Sequence, residues 1–231
     1  MTLSVALPSF AQPDAPVTTK PKANKTTVRT VGTAYLRVLH AMPGGPKVDV
    51  YAGTTKVGSN LAYKSISDYV ELKSGKNIFK IVGAGKTEAL ITDSKSLAKT
   101  KYFTLAIMGK QAPALLVVND STGKEMPDKA RVRVVHLSPG APAVLITAPS
   151  TRAKIGYTKF IAKPLEYGKS ASKTVKPMTA KLQVRTEDGK IVKETGDLEL
   201  VAGKRYDAFA IGEVGATGAN AFEVLVKPAA K

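Results

Sequence analysis

The sequence predicts an all-β chain folded as two tandem antiparallel β-sandwich domains. Three observations carry this. Apolar residues fall in short runs that alternate with polar ones and are rich in Val, Ile, Tyr and Phe, the period-two pattern of a strand with two unlike faces. Gly, Pro, Asn, Asp and Ser fill the gaps, and no window sustains an i, i+3, i+4, i+7 stripe with caps, so little helix is expected. The chain also repeats itself. Ala34 to Pro46 reads AYLRVLHAMPGGP and Ala130 to Pro142 reads ARVRVVHLSPGAP, so that Arg133 matches Arg37 and His136 matches His40 at an offset of 96 residues (His136 against His40).

Taken in order, the chain opens on an apolar stretch, 1–11, that ends in Ser9-Phe10-Ala11 before Gln12. Small residues at that spacing have the form of a signal-peptide cleavage site, and the stretch is expected to be the remnant of a secretory signal. No apolar run in the chain reaches the ~18 residues of a membrane-spanning helix. Residues 12–32 carry Pro13, Pro16 and Pro21 among Lys and Thr and have no apolar periodicity, the composition of a disordered basic linker.

Repeat one is expected over 33–119. Its strand-like runs are Tyr35 to Leu39, Val48 to Tyr51, Ile66 to Leu72, Ile78 to Val82, Tyr102 to Ile107 and Ala114 to Val118. Residues 120–129, polar with Gly and Pro, are expected to link the domains, and 130–227 to form repeat two, each repeat with its own core. Asp188-Gly189 between two strand-like runs predicts a hairpin turn. Late in the repeats Tyr206 aligns with Tyr102 at an offset of 104, so about eight extra residues are expected between Val144 and Leu165, in a loop. Leu200-x-x-Gly203-x-x-Tyr206 has the form of the tyrosine corner of immunoglobulin-like sandwiches. On this alignment repeat one keeps Tyr102, with Ser96 and Lys99 in place of the Leu and Gly. The fold class is therefore all-β, two immunoglobulin-like sandwiches in tandem.

Composition narrows the chemistry. Hydrophobic residues make up 43% of the 231, enough for a globular core, and the absence of Cys removes disulfides and thiolate metal sites. With two His in the whole chain, no metal site is expected, and no cofactor motif occurs: there is no P-loop and no G-x-G-x-x-G. A net charge of +17 attracts polyanions, whether nucleic acid, anionic polysaccharide, acidic lipid or wall polymer.

His40 and His136 stand at predicted strand ends before a Pro-Gly turn. A nucleophilic triad would need a Ser and a carboxylate on one His. Ser138 lies near His136 but Met42 takes its place in repeat one; Asp49 lies in repeat one but Leu145 takes its place in repeat two. Neither repeat holds both, so no catalytic residue is assigned and the histidines are read as packed rings bonded to turn backbone. The candidate binding site is instead the stretch from Ser150 to Lys181, where eight cations face one acid, Glu166. Arg152, Lys154, Lys159 and Lys163 would hold the anion, and Tyr157 and Phe160 would stack on its rings.

The pattern Arg-x-x-His-x-Ser-Pro-x-x-Pro-x-Val resembles the bacterial family called domain of unknown function 4397, whose motif continues into V-D-V-Y. Repeat one supplies Arg37, His40, Pro43, Pro46, Val48, Asp49, Val50 and Tyr51; repeat two supplies Arg133, His136, Ser138, Pro139, Ala141, Pro142 and Val144, with Leu145 and Thr147 in place of the Asp and Tyr. The resemblance implies a β-sandwich, export, and a place in the periplasm, at the cell surface or outside the cell. It implies no activity. The basic two-domain plan also looks like that of periplasmic accessory proteins of alginate acetylation. The expected function is a non-enzymatic, exported cell-envelope binding or scaffold protein. Its expected partner is an anionic polysaccharide or cell-wall polymer, together with an envelope protein partner. The alternatives are an accessory subunit of a polysaccharide-acetylating assembly and a basic nucleic-acid-binding protein.

Overall fold

The computed structural model describes residues 32–121 and 126–229. The expected signal remnant, nearly all of the basic linker and the middle of the interdomain linker lie outside the described residues. The described chain is all-β, with one short 3-10 turn at Gly218–Asn220. Repeat one holds β1 (Thr33–His40), β2 (Val48–Ala52), β3 (Thr55–Leu61), β4 (Val70–Lys73), β5 (Gly75–Gly83), β6 (Ala89–Leu97), β7 (Tyr102–Met108) and β8 (Ala114–Asn119). Repeat two holds β9 (Ala130–His136), β10 (Leu145–Pro149), β11 (Tyr157–Lys159), β12 (Ser170–Val175), β13 (Met178–Ala180) and β14 (Gln183–Arg185). It continues with β15 (Ile191–Glu194), β16 (Leu198–Leu200), β17 (Arg205–Ile211) and β18 (Glu223–Pro228).

Each repeat is a pair of four-stranded sheets. In repeat one they run β4-β1-β7-β8 and β3-β2-β5-β6; in repeat two, β12-β9-β17-β18 and β11-β10-β14-β15, with β13 and β16 as a small extra pair. The motif strand of each repeat, β1 or β9, lies parallel to β7 or β17 and antiparallel to β4 or β12. Leu36, Val38, Val50, Phe79, Ile81 and Leu105 fill the space between the sheets of repeat one; Val132, Val134, Ile146, Leu182, Val184 and Ala208 do so in repeat two.

A third core joins the repeats. Leu39, Ala41, Ala106 and Val118 of repeat one meet Val135, Leu137, Phe209 and Ile211 of repeat two. The β1-β7 and β9-β17 sheets are therefore covered on both faces: in β1 and β9 one alternation phase serves the repeat's own core, and the other, which carries buried Arg37 and Leu39 or Arg133 and Val135, serves the joint.

Two strands escape the sequence pattern, β3 and β6. Both are edge strands with largely exposed, polar side chains, so neither shows an apolar period. The predicted strand from Ile66 to Leu72 shortens to β4, with Ile66 making only an isolated bridge to Leu39. The Asp188-Gly189 hairpin is present between β14 and β15, with Gly189 at φ 90.

The late alignment of the repeats is corrected by one residue. Strand pairing sets Thr104 opposite Arg37 and Asp207 opposite Arg133, an offset of 103 between Thr104 and Asp207. The same offset relates Gly109 to Gly212, both at positive φ with the next loop's carbonyl where a Cβ would go. It also relates Leu97 to Leu200 and Thr100 (φ 58) to Gly203 (φ 72). A slip of one residue turns a strand's side chains to the other face. Tyr206 thus matches Phe103, not Tyr102. Tyr206 accepts a hydrogen bond from the Val201 N–H at 3.1 Å, closing a tyrosine corner. Tyr102 points to the opposite face, where its ring stacks on Tyr35 at 4.5 Å. The eight extra residues expected between Val144 and Leu165 are present: Val48 pairs with Leu61 and Val144 bridges to Leu165, intervals of 13 and 21 residues, and one residue is lost again before β17, which leaves the later offset at 103. The β10–β11 connection, 150–156, accounts for five of them against the two-residue turn of β2 and β3 at Gly53-Thr54, and the flanking β10 and 157–165 for the other three.

Candidate functional site

The motif residues divide into two groups with different work. Arg37 and Arg133 sit on the phase of β1 and β9 that faces the other repeat, and both are buried. Each uses Nε within its own sheet: Arg37 donates to Thr104 Oγ1 at 2.9 Å and Arg133 to Asp207 Oδ1 at 2.9 Å. Each then reaches across. Arg37 Nη2 donates to Asp207 Oδ2 at 2.6 Å and Nη1 to the Pro228 carbonyl; Arg133 Nη2 donates to Asp120 Oδ1 at 2.5 Å and Nη1 to the Asn119 carbonyl. Asp120 also accepts from the Thr104 and Tyr69 hydroxyls, both at 2.7 Å, and the Arg37 guanidinium lies 4.9 Å from the Tyr69 ring centre.

The result is a buried cluster of two guanidiniums and two carboxylates, with hydrogen bonds to the oxygens and nitrogens that burial would otherwise strand. Burial pushes the Asp207 carboxyl above its ordinary value, against the pull of Arg133 and Arg37. Burial alone would lower the Arg133 guanidinium, but the Asp207 and Asp120 charges more than offset it and leave it raised. The pattern of matched arginines was visible in the sequence, but their partners were not. Asp120 fell in the expected linker, and Asp207 had no repeat-one counterpart to mark it.

The histidines hold the turns. His40 Nε2 donates to the Pro46 carbonyl at 2.9 Å, and Nδ1 accepts the Met42 N–H at 3.4 Å; His136 does the same with Pro142 at 3.2 Å and Ser138 N–H at 3.3 Å. This fixes the neutral tautomer with the proton on Nε2. Burial lowers both pKa values below the ordinary 6.5, the Pro carbonyls pulling the other way. Position 42 or 138 contributes its backbone N–H, so Met and Ser serve equally. The Ser138 hydroxyl donates to the Gly212 carbonyl at 2.5 Å and so is turned to backbone, away from a nucleophile's place. Asp49 accepts the Asn60 N–H at 2.7 Å and pairs with Lys56 at 2.9 Å; the Asn60 N–H foremost, then Lys56, holds its carboxyl below the usual value. Among the described residues no three His, Asp or Glu side chains gather where a metal could bind.

The basic stretch lies along one border of repeat two, where β11 and β12 are the edge strands of its two sheets. Arg152, Lys154, Lys159 and Lys163 are all exposed, and among the described residues none has an ion-pair partner. Lysines at an edge also keep other strands from adding to the sheet. Phe160 is corrected: its ring is buried in the repeat-two core, under the Lys173 ammonium at 5.1 Å, and cannot stack on a ligand. Tyr157 is half-buried with the Arg185 guanidinium 4.1 Å from its ring centre, so a cation occupies part of the surface expected to meet a ligand.

Fold and motif geometry together define a tandem β-sandwich protein whose repeats are joined through their motif strands. Residues 34–147, repeat one and the opening of repeat two, match the family model Domain of unknown function (DUF4397), and this stretch belongs to that family. No curated protein matches the chain. Among solved structures, a family 26 carbohydrate-binding module of Eubacterium rectale Amy13K, in complex with maltoheptaose, aligns at 11% identity and a TM-score of 0.27, over 86% of this chain and 98% of that one. The Bacillus anthracis TIE protein aligns at 12% identity and a TM-score of 0.27, over 86% of this chain and 43% of that one. Among the described residues no helix is long and apolar enough to cross a membrane.

Proposed function

We propose that this chain is a non-enzymatic, exported binding or scaffold module of the bacterial envelope that holds an anionic glycan or wall polymer on the basic border of repeat two. The observation that carries the reading is the set Arg152, Lys154, Lys159 and Lys163: four exposed cations without ion-pair partners among the described residues, on and beside a loop that repeat one lacks. Exposed, uncompensated cations on a rigid sheet edge attract a polymer of negative charges with little reorganisation. Phe160 is not part of this site, and contact with the polymer falls to the cations and the exposed part of Tyr157. The motif residues support the scaffold half of the reading. They join the repeats and brace the turns, leaving the surface to carry recognition.

The test is a salt titration of binding to polygalacturonate and to single-stranded DNA. Affinity falls steeply with salt if contacts are cationic and exposed. Neutralising Arg152, Lys154, Lys159 and Lys163 weakens polygalacturonate binding far more than neutralising Lys73, Lys76, Lys80 and Lys86, exposed lysines of repeat one. Equal losses from the two sets leave a basic surface without a site. Tighter binding to the DNA transfers the reading to nucleic acid.

A further inference from the structure

A second feature lies at the other end of repeat two, where the motif strand begins. A groove of about 660 Å³ opens between the end of the interdomain connection, the turn before β17 and the end of β18. That volume falls within the roughly 300–1,000 Å³ of small-molecule sites. Its walls are apolar: Met126, Val201, the Tyr206 ring and Pro228. Val201 is 40% exposed, a large aliphatic side chain left open at the wall.

The rim has one sign of charge. Lys129, Lys204, Arg131 and Arg205 line the groove, and no carboxylate does so among the described residues. Neither Lys129 nor Lys204 has an ion-pair partner among the described residues. Backbone bonds hold the walls in place. The Gly203 N–H donates to the Lys129 carbonyl at 2.9 Å, tying the turn to the connection. The Ala229 N–H donates to the Arg205 carbonyl at 3.0 Å, and the Val201 N–H to the Tyr206 hydroxyl. The tyrosine corner therefore has a consequence beyond folding: it sets Val201 at the groove. A wall held by such bonds is not reshaped by ligand entry, which lowers the cost of binding.

An apolar trough with a cationic rim is complementary to an anion on an apolar body. We propose that this groove binds a small single-chain anionic amphiphile, its carboxylate or phosphate between Lys129 and Lys204 and its chain along Val201, Tyr206 and Pro228. A free polyanion would use the rim and leave the walls wet. A neutral chain would fill the walls and leave the rim unanswered. The groove touches the end of β12 at Thr174 but includes none of Arg152, Lys154, Tyr157, Lys159 and Lys163, so either site can fail without the other.

The probe is decanoate below its micellar concentration, followed on the full chain by calorimetry and by amide shifts, with decyltrimethylammonium as the cationic counterpart. The expected result is saturable one-to-one binding of decanoate, with shifts at Val201, Arg205 and Ala229 and none comparable from decyltrimethylammonium. Val201→Asp, and separately Lys129→Glu with Lys204→Glu, each weaken it about tenfold or more, about 1.4 kcal/mol. The two lysine changes serve if the Val201 variant does not fold. Absence of saturation with both decanoate and decyl phosphate, shifts centred on residues 150–163, equal binding of the cationic amphiphile, or unchanged affinity in folded variants would each overturn the proposal. Binding of decyl phosphate but not decanoate would assign the head group as a phosphate and keep the site.

Discussion

Arg37 of the first motif donates to Asp207 of the second repeat at 2.6 Å, and both side chains are almost wholly out of water. Removing one member of such a cluster leaves its partner buried and unpaired. Arg37→Met and Asp207→Leu should each lower unfolding free energy by about 3–5 kcal/mol, and the double variant should lose much less than the two losses added. Urea titrations of the four proteins measure this. Single losses of under about 1 kcal/mol would mean the joint does not depend on the pair.

The same joint bears on the two domains expected from the sequence. Each repeat has a core of its own, but a separated repeat would bare Leu39, Ala106, Val135, Phe209 and Ile211 together with charged members of the cluster. A protease site placed at 122–125 should yield a cut chain whose halves stay together through gel filtration. Halves that elute apart, each folded, would mean that the third core adds little.

Both histidines have folded pKa values lowered by burial, below 6.5. The sign follows from proton uptake. Below pH 6.5 the unfolded chain binds protons that the folded chain resists, so stability is full above that pH and declines as pH falls toward the folded pKa values. The urea midpoint should drop between pH 7.5 and about pH 5, above the usual carboxylate range. The drop should shrink when His40→Gln and His136→Gln are combined, at a cost of about 1 kcal/mol per site at pH 7.5 if one hydrogen bond is lost at each. An identical pH profile in the double variant would show that the rings do not resist protonation.

Phe160 separates core from ligand surface. Its ring is buried between the sheets of repeat two, so Phe160→Ala should cost about 3–5 kcal/mol. Tyr157→Ala, at a half-buried ring, should cost less and act on binding at the basic border. A stable Phe160→Ala with weakened polyanion binding would return the ring to the surface.

What the sequence made legible follows from what repeats. Val38, Val50, Ile81 and Leu105 declare themselves by period two, and Arg37, His40 and their counterparts by recurrence. The histidine bonds were inferable because a His before a Pro-Gly turn has few other groups in reach. Asp120 and Asp207 were hidden because their work is done between repeats, where no local period marks a partner. Phe160 was misplaced for a related reason: β11 is three residues long, too short for an alternation to show which way a ring points. The one-residue slip arose because Tyr102 and Tyr206 are both tyrosines beside a basic residue, and a chance identity outweighed the spacing of Leu97, Thr100 and Phe103.

Aligned by identity, Tyr102 and Tyr206 are equivalent corner tyrosines, and losing either hydroxyl should cost the same. Aligned by strand pairing, they face opposite ways. The Tyr206 hydroxyl accepts the Val201 N–H, and the Tyr102 hydroxyl takes no hydrogen bond among the described residues. Tyr206→Phe should therefore cost about 1 kcal/mol, the worth of one intramolecular hydrogen bond. Tyr102→Phe keeps the ring stacked on Tyr35 and should stay within about 0.5 kcal/mol of the parent. Thermal or urea unfolding of the two variants decides it: equal losses would restore the alignment by identity, and a loss at position 206 alone fixes the pairing of the repeats at Phe103.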